Sequence, residues 1–369
     1  MRIAQVAPMY ERVPPALYGG TERVVSYLTE ELARRGHRVT LFATADSETA
    51  AVLNGVAPHA LRLSASGPEP LAYHVLELTE VLERAAEFDI IHCHVDFLAF
   101  PLSCLVRTPT VHTLHGRLDF PYLTPLFARF RDLPLVSISN HQRLPLARLG
   151  LRWVATVYHG VPVADYAVGA GRGGYLAFLG RISREKRPDL AIEVAKRVGV
   201  PLKIAAKVDR ADWAYFEREI RPLLDEPLVE FVGEIDDATK PIFLGDAMAL
   251  LFPVDWPEPF GLVMIEALAC GTPVIARPYG SVPEVMEDGV SGFLADTVEE
   301  MAAAVRRLGR LDRDWCRRRA EARFSVEAMV DRYEAVYGRL AASKWRTPAV
   351  RQATPVAAGA YVAATAGGS

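Results

Sequence analysis

Short, nearly continuous apolar runs alternate with longer amphipathic stretches along most of this 369-residue chain. RIAQVA at residues 2–7 is one such run, and residues 39–44, 110–114 and 135–139 repeat it. Apolar runs of this length between turn signals read as strands covered on both faces. TERVVSYLTEELARRG spaces its apolar residues as a helix does, with Thr21 as N-cap and Gly36 as stop. Strand, Gly19-Gly20 turn, helix, strand is a βαβ unit and predicts a parallel sheet. Residues 45–70 show no sustained period and read as a loop-rich insert. LAYHVLELTEVLERAAEF then reads as a helix and DIIHCHV as a strand, and NHQRLPLARLG opens another helix. After GAGRGG, residues 169–174, the rhythm restarts. YLAFLG, PLKIAAKV, LVEFVGEI and MALLFPV are strands, with a helix near residues 241–246 between the last two. GLVMIEALACG is a helix stopped by Gly271, and VEEMAAAVRRLGRL and EAMVDRYEAVYGRLA are the last two.

The rhythm predicts two α/β units. GAGRGG reads as a flexible linker and sets the boundary. The expected division is 1–168, 174–325, a C-terminal helix over 326–345, and a disordered tail over 346–369, where charge runs out after Arg351.

Composition fits this picture. Half of the residues are hydrophobic, enough for two cores, and the net charge of −3 gives no reason to expect a nucleic-acid partner. Cys93, Cys104, Cys270 and Cys316 show no paired spacing and read as reduced thiols of a cytoplasmic protein. MRIAQVAPMY is broken by Pro8 too early for a signal peptide. No apolar run reaches the roughly 18 residues of a membrane helix.

Candidate chemistry concentrates between Asp255 and Phe293. Glu258 stands between two prolines. Phe260 and Gly261 precede the helix that begins at Leu262, and Glu266 lies more than one turn inside it. A helix start offers unpaired N–H groups and a favourable dipole to an anion, and Gly261 removes the Cβ that would block close approach. Two carboxylates around an anion-ready turn suit a ligand containing a diphosphate, a sugar and a ribose. Solvated glutamates on an ordinary buried helix are the plainer alternative, although so apolar a setting makes an unpartnered carboxylate costly.

EPFGLVMIE, with the CGTPVIA and SVPEVMEDGVSGFL segments after it, resembles the Glu-x7-Glu signature of retaining nucleotide-sugar glycosyltransferases of family 4. The likeness runs from about Met1 to Ala341. It implies an α/β, GT-B fold: two Rossmann-like, doubly wound parallel-sheet domains facing a cleft. The first would be the acceptor side, the second would bind the nucleotide sugar, and the final helix would cross back to the first. The resemblance further implies that Glu258 contacts the donor sugar and Glu266 the ribose. It places Arg181 and Lys186 on the diphosphate, His115 near the donor sugar, and the Gly20 loop opposite the phosphates. Ile235 would face a nucleobase through backbone contact. Arg187 departs from the family, where glycine is common, as does Lys207 in a strand end that is often glycine-rich.

Read without the resemblance, Arg181 and Lys186 flank a strand-to-helix loop and suggest diphosphate binding, or surface pairing with Glu185 and Asp189. Lys207 is a third phosphate cation or a surface charge. His115 follows the strand 110–114, at the end where open parallel sheets bind ligands; His112, inside the strand, is weaker. His92, His94 and Asp96 alternate on one strand face. They could ligate a metal or simply line a cleft, and no further ligand cluster accompanies them. Arg306, Arg310, Arg313 and Arg317 share one face of a helical stretch, either solvated or in weak peripheral contact with anionic lipid.

The expected activity is metal-independent transfer of a hexosyl group, with retention, from a UDP- or GDP-linked sugar to an acceptor hydroxyl, with no further cofactor. A sugar-nucleotide epimerase of the same fold and a glycoside hydrolase using Glu258 and Glu266 are the alternatives. A phosphorylase or a pure binding module fits less well. The acceptor and the oligomeric state are open.

Overall fold

The computed structural model describes residues 1–63, 70–225, 227–343, 345, 347, 348 and 350, so the expected tail lies almost wholly outside the described residues. Two parallel sheets form. The first contains β1 Arg2–Val6, β2 Arg38–Thr44, β3 Val52–Ala57, β4 Ile90–Cys93, β5 Thr110–Leu114, β6 Leu135–Ser137 and β7 Trp153–Thr156. Its order is β3-β2-β1-β4-β5-β6-β7. The second contains β8 Leu176–Arg181, β9 Leu202–Lys207, β10 Val229–Gly233, β11 Ala249–Phe252, β12 Val274–Ala276 and β13 Gly292–Leu294, in the order β10-β9-β8-β11-β12-β13. All pairs are parallel. These are two Rossmann-like sheets of the GT-B type.

The buried strands were readable because both faces are covered. Ile3, Val6, Ile91 and Val111 are fully buried, as are Leu176, Ile204 and Leu250. The edge strand β3 was not readable. Residues 45–70 include a six-residue strand rather than loop alone, and its VLNGVA pattern is half exposed. An edge strand covered on one side carries neither the apolar run nor the clean alternation that marks a strand.

Strand order reverses between β1 and β4 in one sheet and between β8 and β11 in the other. Loops leaving the C-terminal ends of these strands diverge there and leave a crevice, the usual ligand position in open α/β sheets. Register makes this concrete: Arg181 at the end of β8 lies beside Lys207 at the end of β9.

The final helix, Val326–Ala342, packs on the first sheet, as expected. Tyr333 and Tyr337 are fully buried there. The Tyr333 hydroxyl lies 3.0 Å from Thr113 Oγ1. Gln5 Nε2 donates to the Tyr337 hydroxyl at 3.1 Å.

Residues 169–174 are not a free linker. Gly169 N–H donates to Cys270 O at 3.0 Å, Gly171 N–H to Gly245 O at 3.1 Å and Gly173 N–H to Asp246 O at 2.9 Å. A Cβ on Gly169 would stand 2.1 Å from Gly245 O. The glycines serve close backbone approach, a requirement that composition cannot distinguish from flexibility.

The four-arginine face also fails to form. The helix Val298–Arg306 ends at Arg306, and a new one, Arg313–Phe324, begins after a short turn. Arg313 turns inward, donating to Gly169 O at 2.8 Å, Ala247 O at 3.1 Å and Gly245 O at 2.8 Å. Arg317 donates to Ala269 O at 2.8 Å. Arg313 thereby braces the start of the 169–174 segment, and Arg317 ties to the end of the Leu262–Ala269 helix. No helix among the described residues is long and apolar enough to cross one.

The first long helix spans Gly20–Arg34 with Gly19 at its N-cap, so Thr21 lies inside it and caps nothing.

Candidate active site

The switch-point loops enclose a cleft of about 740 Å³ between the two sheets. Gly20, His115, Arg181, Lys186, Lys207, Glu258, Phe260, Gly261, Leu262 and Glu266 all line it. The sequence-predicted residues, drawn from loops far apart in the chain, therefore share one cavity.

The helix Leu262–Ala269 points its start into the cleft. Gly261 is its N-cap at φ 80, a left-handed conformation that favours glycine. A Cβ there would stand 2.8 Å from Met264 Cε and 3.0 Å from the Phe252 ring. Gly271, at φ 69, ends the helix as expected. Glu258 is placed by its neighbours. Its carbonyl accepts from Ser281 N–H at 2.9 Å, and its Oε2 accepts from Trp256 Nε1 at 3.0 Å and from Lys186 Nζ. Ser281 Oγ also donates to Phe260 O at 2.9 Å, so the 280–285 segment backs the Pro-Phe-Gly turn.

Glu266 and Glu258 are both buried, not solvated. Glu266 Oε1 lies 2.7 Å from Lys240 Nζ and accepts from the Tyr166 hydroxyl at 3.3 Å. Lys240 also reaches Asp237 Oδ1 at 3.0 Å, and Asp237 pairs with Arg23 across the cleft. Each glutamate is thus held by a different lysine.

Arg181 Nη2 donates to Glu185 at 3.2 Å, and its guanidinium lies 3.7 Å from Asp209 and 3.4 Å from Asp212. Glu185 bonds Arg117 of the first sheet at 3.2 Å as well. Lys186 Nζ sits 5.3 Å from the centroids of both Phe252 and Trp256. Lys207 pairs with Asp209 at 3.1 Å and lies 5.2 Å from the Tyr18 ring. Arg181 pairs with Glu185 as expected, Lys186 pairs with Glu258 rather than Asp189, and all three cations line the cleft. Arg187 adopts φ 53, which explains why glycine suits this position. Its guanidinium is tied to Asp189 at 2.7 Å and Asp255 at 3.0 Å.

The histidines form a chain. His94 Nε2 is 2.9 Å from Gln5 Oε1, and His94 Nδ1 is 2.9 Å from His115 Nε2. With Gln5 Nε2 donating to Tyr337, its Oε1 can only accept, so His94 carries its proton on Nε2. His94 Nδ1 then accepts from His115 Nε2–H, provided both rings are neutral. Burial does push both down, His115 to about 3 and His94 well below the usual imidazole range. His115 Nδ1 is left as a bare acceptor, and it has no hydrogen-bond partner. His159 stacks on His115 at 5.2 Å, is buried, and also has an unpartnered Nδ1.

The alternating His92, His94 and Asp96 divide differently from one shared face. His92 is 2.7 Å from both the Tyr337 hydroxyl and Thr113 Oγ1. Asp96 lies past the end of β4 at φ 48. His112 bonds Ser103 at 2.8 Å, away from the cleft lining. Among the described residues no three His, Cys, Asp or Glu side chains group to hold a metal.

Four residues that line this cleft, Lys240, Trp256, His159 and Glu22, were not singled out from the sequence. Lys240 just before Pro241 gave no signal, since a lysine at a helix start is ordinary. Asp96 was seen only as one of three alternating residues.

Residues 18–165 match the family described as Glycosyltransferase Family 4, and residues 170–323 match Glycosyl transferases group 1. Glycogen synthase of Mycobacterium tuberculosis is 27% identical over 362 residues, covering 83% of this chain and 85% of that one. D-inositol 3-phosphate glycosyltransferase of Mycolicibacterium smegmatis is 28% identical over 336 residues, covering 75% of each. The crystal structure of Anabaena Alr3699/HepE with UDP and glucose superposes with a TM-score of 0.73 at 19% identity, over 92% of this chain and 100% of that one.

Proposed function

We propose, for a chain that belongs to the family 4 glycosyltransferases of the GT-B fold, that it transfers a hexosyl group with retention from a nucleoside diphosphate sugar to an acceptor hydroxyl. The observation that carries this reading is the meeting of Arg181, Lys186 and the start of the Leu262–Ala269 helix in one cleft. Negative charge grows on the diphosphate as the glycosidic bond breaks, and fixed donors aimed at that position lower the barrier. Two side-chain cations and a helix start supply that charge from the protein, which is the basis for a metal-independent reaction. Lys207, in register with Arg181, is a third cation within reach. Gly20 approaches the helix start from the other wall: a Cβ there would stand 3.4 Å from Leu262 Cδ1.

Glu258 would hold donor-sugar hydroxyls and Glu266 the ribose diol. The bare His115 Nδ1 would accept from a further sugar hydroxyl. Glu234 and Ile235 also line the cleft, and the nucleobase would lie against their turn. A UDP- or GDP-linked donor is the working choice, UDP being what the Anabaena neighbour binds. In a same-face reaction the acceptor oxygen bonds to the anomeric carbon, the bond to the diphosphate breaks, and the leaving oxygen takes the hydroxyl proton.

In the free protein Lys186 is paired with Glu258 and Arg181 with Glu185, so a bound diphosphate competes with these carboxylates. Removing either cation should lower transfer by about 100- to 1,000-fold. The test is a thermal-shift screen with UDP, GDP and ADP, since a ligand stabilises by RT ln(1 + [L]/Kd), followed by transfer assays of Arg181→Ala and Lys186→Ala. Near-normal transfer by both variants refutes the reading.

A further inference from the structure

The two walls of the cleft carry different charge. On the second-sheet wall Arg181, Lys186 and Lys207 gather where the proposed diphosphate lies. On the first-sheet wall the charged residues lining the cleft among those described are Glu22, Arg23, Arg62 and Asp96. Both cations there are paired, as are Arg181, Lys186 and Lys207 opposite. Arg23 pairs with Asp237 and donates to Leu17 O at 2.6 Å. Arg62 lies 3.4 Å from Glu11 Oε1, with its guanidinium 5.9 Å from the centre of the Tyr18 ring. The histidines on this wall add no charge, because burial lowers His74, His94, His115 and His159 alike.

Asp96 stands out. Among the described residues it is one of two non-glycine residues with positive φ, and the other, Arg187, flanks the donor side. Side chains seldom adopt that backbone conformation without local over-determination. Here it turns a carboxylate into the cleft, where water still reaches it, and the His115 backbone N–H faces it. Burial by the surrounding protein raises its carboxyl to about 6, and the hydrogen bond from the His115 N–H opposes the rise. Tyr10, Tyr18 and Phe97 line the same wall, and Tyr10 and Tyr18 are 42% and 38% exposed despite their size. The unpartnered Nδ1 atoms of His115 and His159 belong to this cavity too.

We infer that the acceptor enters this wall as an uncharged polyhydroxylated group, a saccharide or polyol without a phosphate ester, held by Asp96 and Glu22. This rests on the donor reading above. A carboxyl group accepts hydrogen bonds from neighbouring hydroxyls, and aromatic faces receive the C–H face of a sugar ring. A phosphomonoester would meet the Asp96 carboxylate on a wall with two cations for two acids, without the three gathered cations that face the diphosphate. In the transfer step Asp96 orients the acceptor through a hydroxyl beside the reacting one. It takes no proton, since the reacting hydroxyl gives its proton to the departing diphosphate oxygen.

The test uses the full chain, with UDP-glucose, UDP-N-acetylglucosamine and GDP-mannose as donors. Neutral acceptors are methyl glucoside, methyl mannoside and myo-inositol. They are set against glucose 6-phosphate, mannose 6-phosphate and inositol 3-phosphate. The expected result is transfer to a neutral acceptor with kcat/KM at least tenfold above its phosphorylated counterpart. Asp96→Asn should raise acceptor KM about tenfold and leave donor KM within twofold. Glu22→Gln gives a second reading of acceptor KM should Asp96→Asn fold poorly. Preference for the phosphomonoester, unchanged acceptor KM in both variants, or no transfer to neutral acceptors by a protein that still binds nucleoside diphosphate overturns the inference. Absence of nucleotide binding sinks the donor reading, and this inference with it.

Discussion

Replacing Lys240 by Met should expose how the second wall is held together. Lys240 and Glu266 are 7% and 2% exposed, and their charged atoms are 2.7 Å apart. Lys240→Met keeps most of the side-chain volume but leaves Glu266 with only the Tyr166 hydroxyl at 3.3 Å. Breaking a buried pair from one side strands a charge, and the cost is about 3–5 kcal/mol. Glu266→Gln strands less. Lys240 keeps Asp237, whose side chain is 45% exposed, so about 1–2 kcal/mol is expected, the scale of one lost hydrogen bond to a charged group. The double variant contains no stranded charge and should recover about 2–4 kcal/mol of the summed losses. Urea unfolding followed by tryptophan fluorescence measures this, with Trp213, Trp256 and Trp315 reporting on the second half of the chain. The m-value must stay constant for the midpoints to be compared. A coupling energy near zero, or a Lys240→Met cost below about 1 kcal/mol, refutes the idea that the pair is electrostatically isolated. Nucleotide binding gives a separate readout: if Glu266 holds the ribose, Glu266→Gln weakens binding even where its stability loss is small.

Two other changes act through backbone contact and through protons. Gly169→Ala should destabilise by about 2–3 kcal/mol through overpacking, because its Cβ would meet Gly245 O at 2.1 Å; an unchanged Tm would show that the segment is free after all. Glu22 has its carboxyl raised by burial from 4.5 to about 7, so the native state holds a proton that the unfolded chain releases between those values. The contribution of this group to wild-type stability is therefore complete below about pH 4.5 and lost as pH rises through 7, a fall of about 3 kcal/mol. Glu22→Gln removes that slope, so its Tm should exceed wild type at pH 8 and match it near pH 4.5; parallel Tm curves would contradict this.

Periodicity reveals what is covered on both sides, which is why the buried strands and the Leu262–Ala269 helix were legible and the half-exposed β3 was not. Glycine signals a backbone demand but not its kind. At Gly261 the demand is a left-handed turn packed against Met264 and Phe252, and at Gly169 it is a tight backbone contact where composition suggests freedom. The Arg306–Arg317 spacing fits one helical face only if the helix continues, and it stops at Arg306, so Arg313 and Arg317 turn inward. Charge is the least legible property. Sequence singles out Glu258, Glu266, Arg181 and Lys186, which share the cleft, but their partners come from elsewhere in the chain: Lys186 for Glu258, Lys240 for Glu266, Asp209 and Asp212 for Arg181. A buried ionic group persists only with its counter-charge, so the neutralising partner matters as much as the residue a motif names. Because that partner is chosen by the fold, the gathering of three acid-paired cations on one wall, against two on the other, emerges only when both sheets are in place.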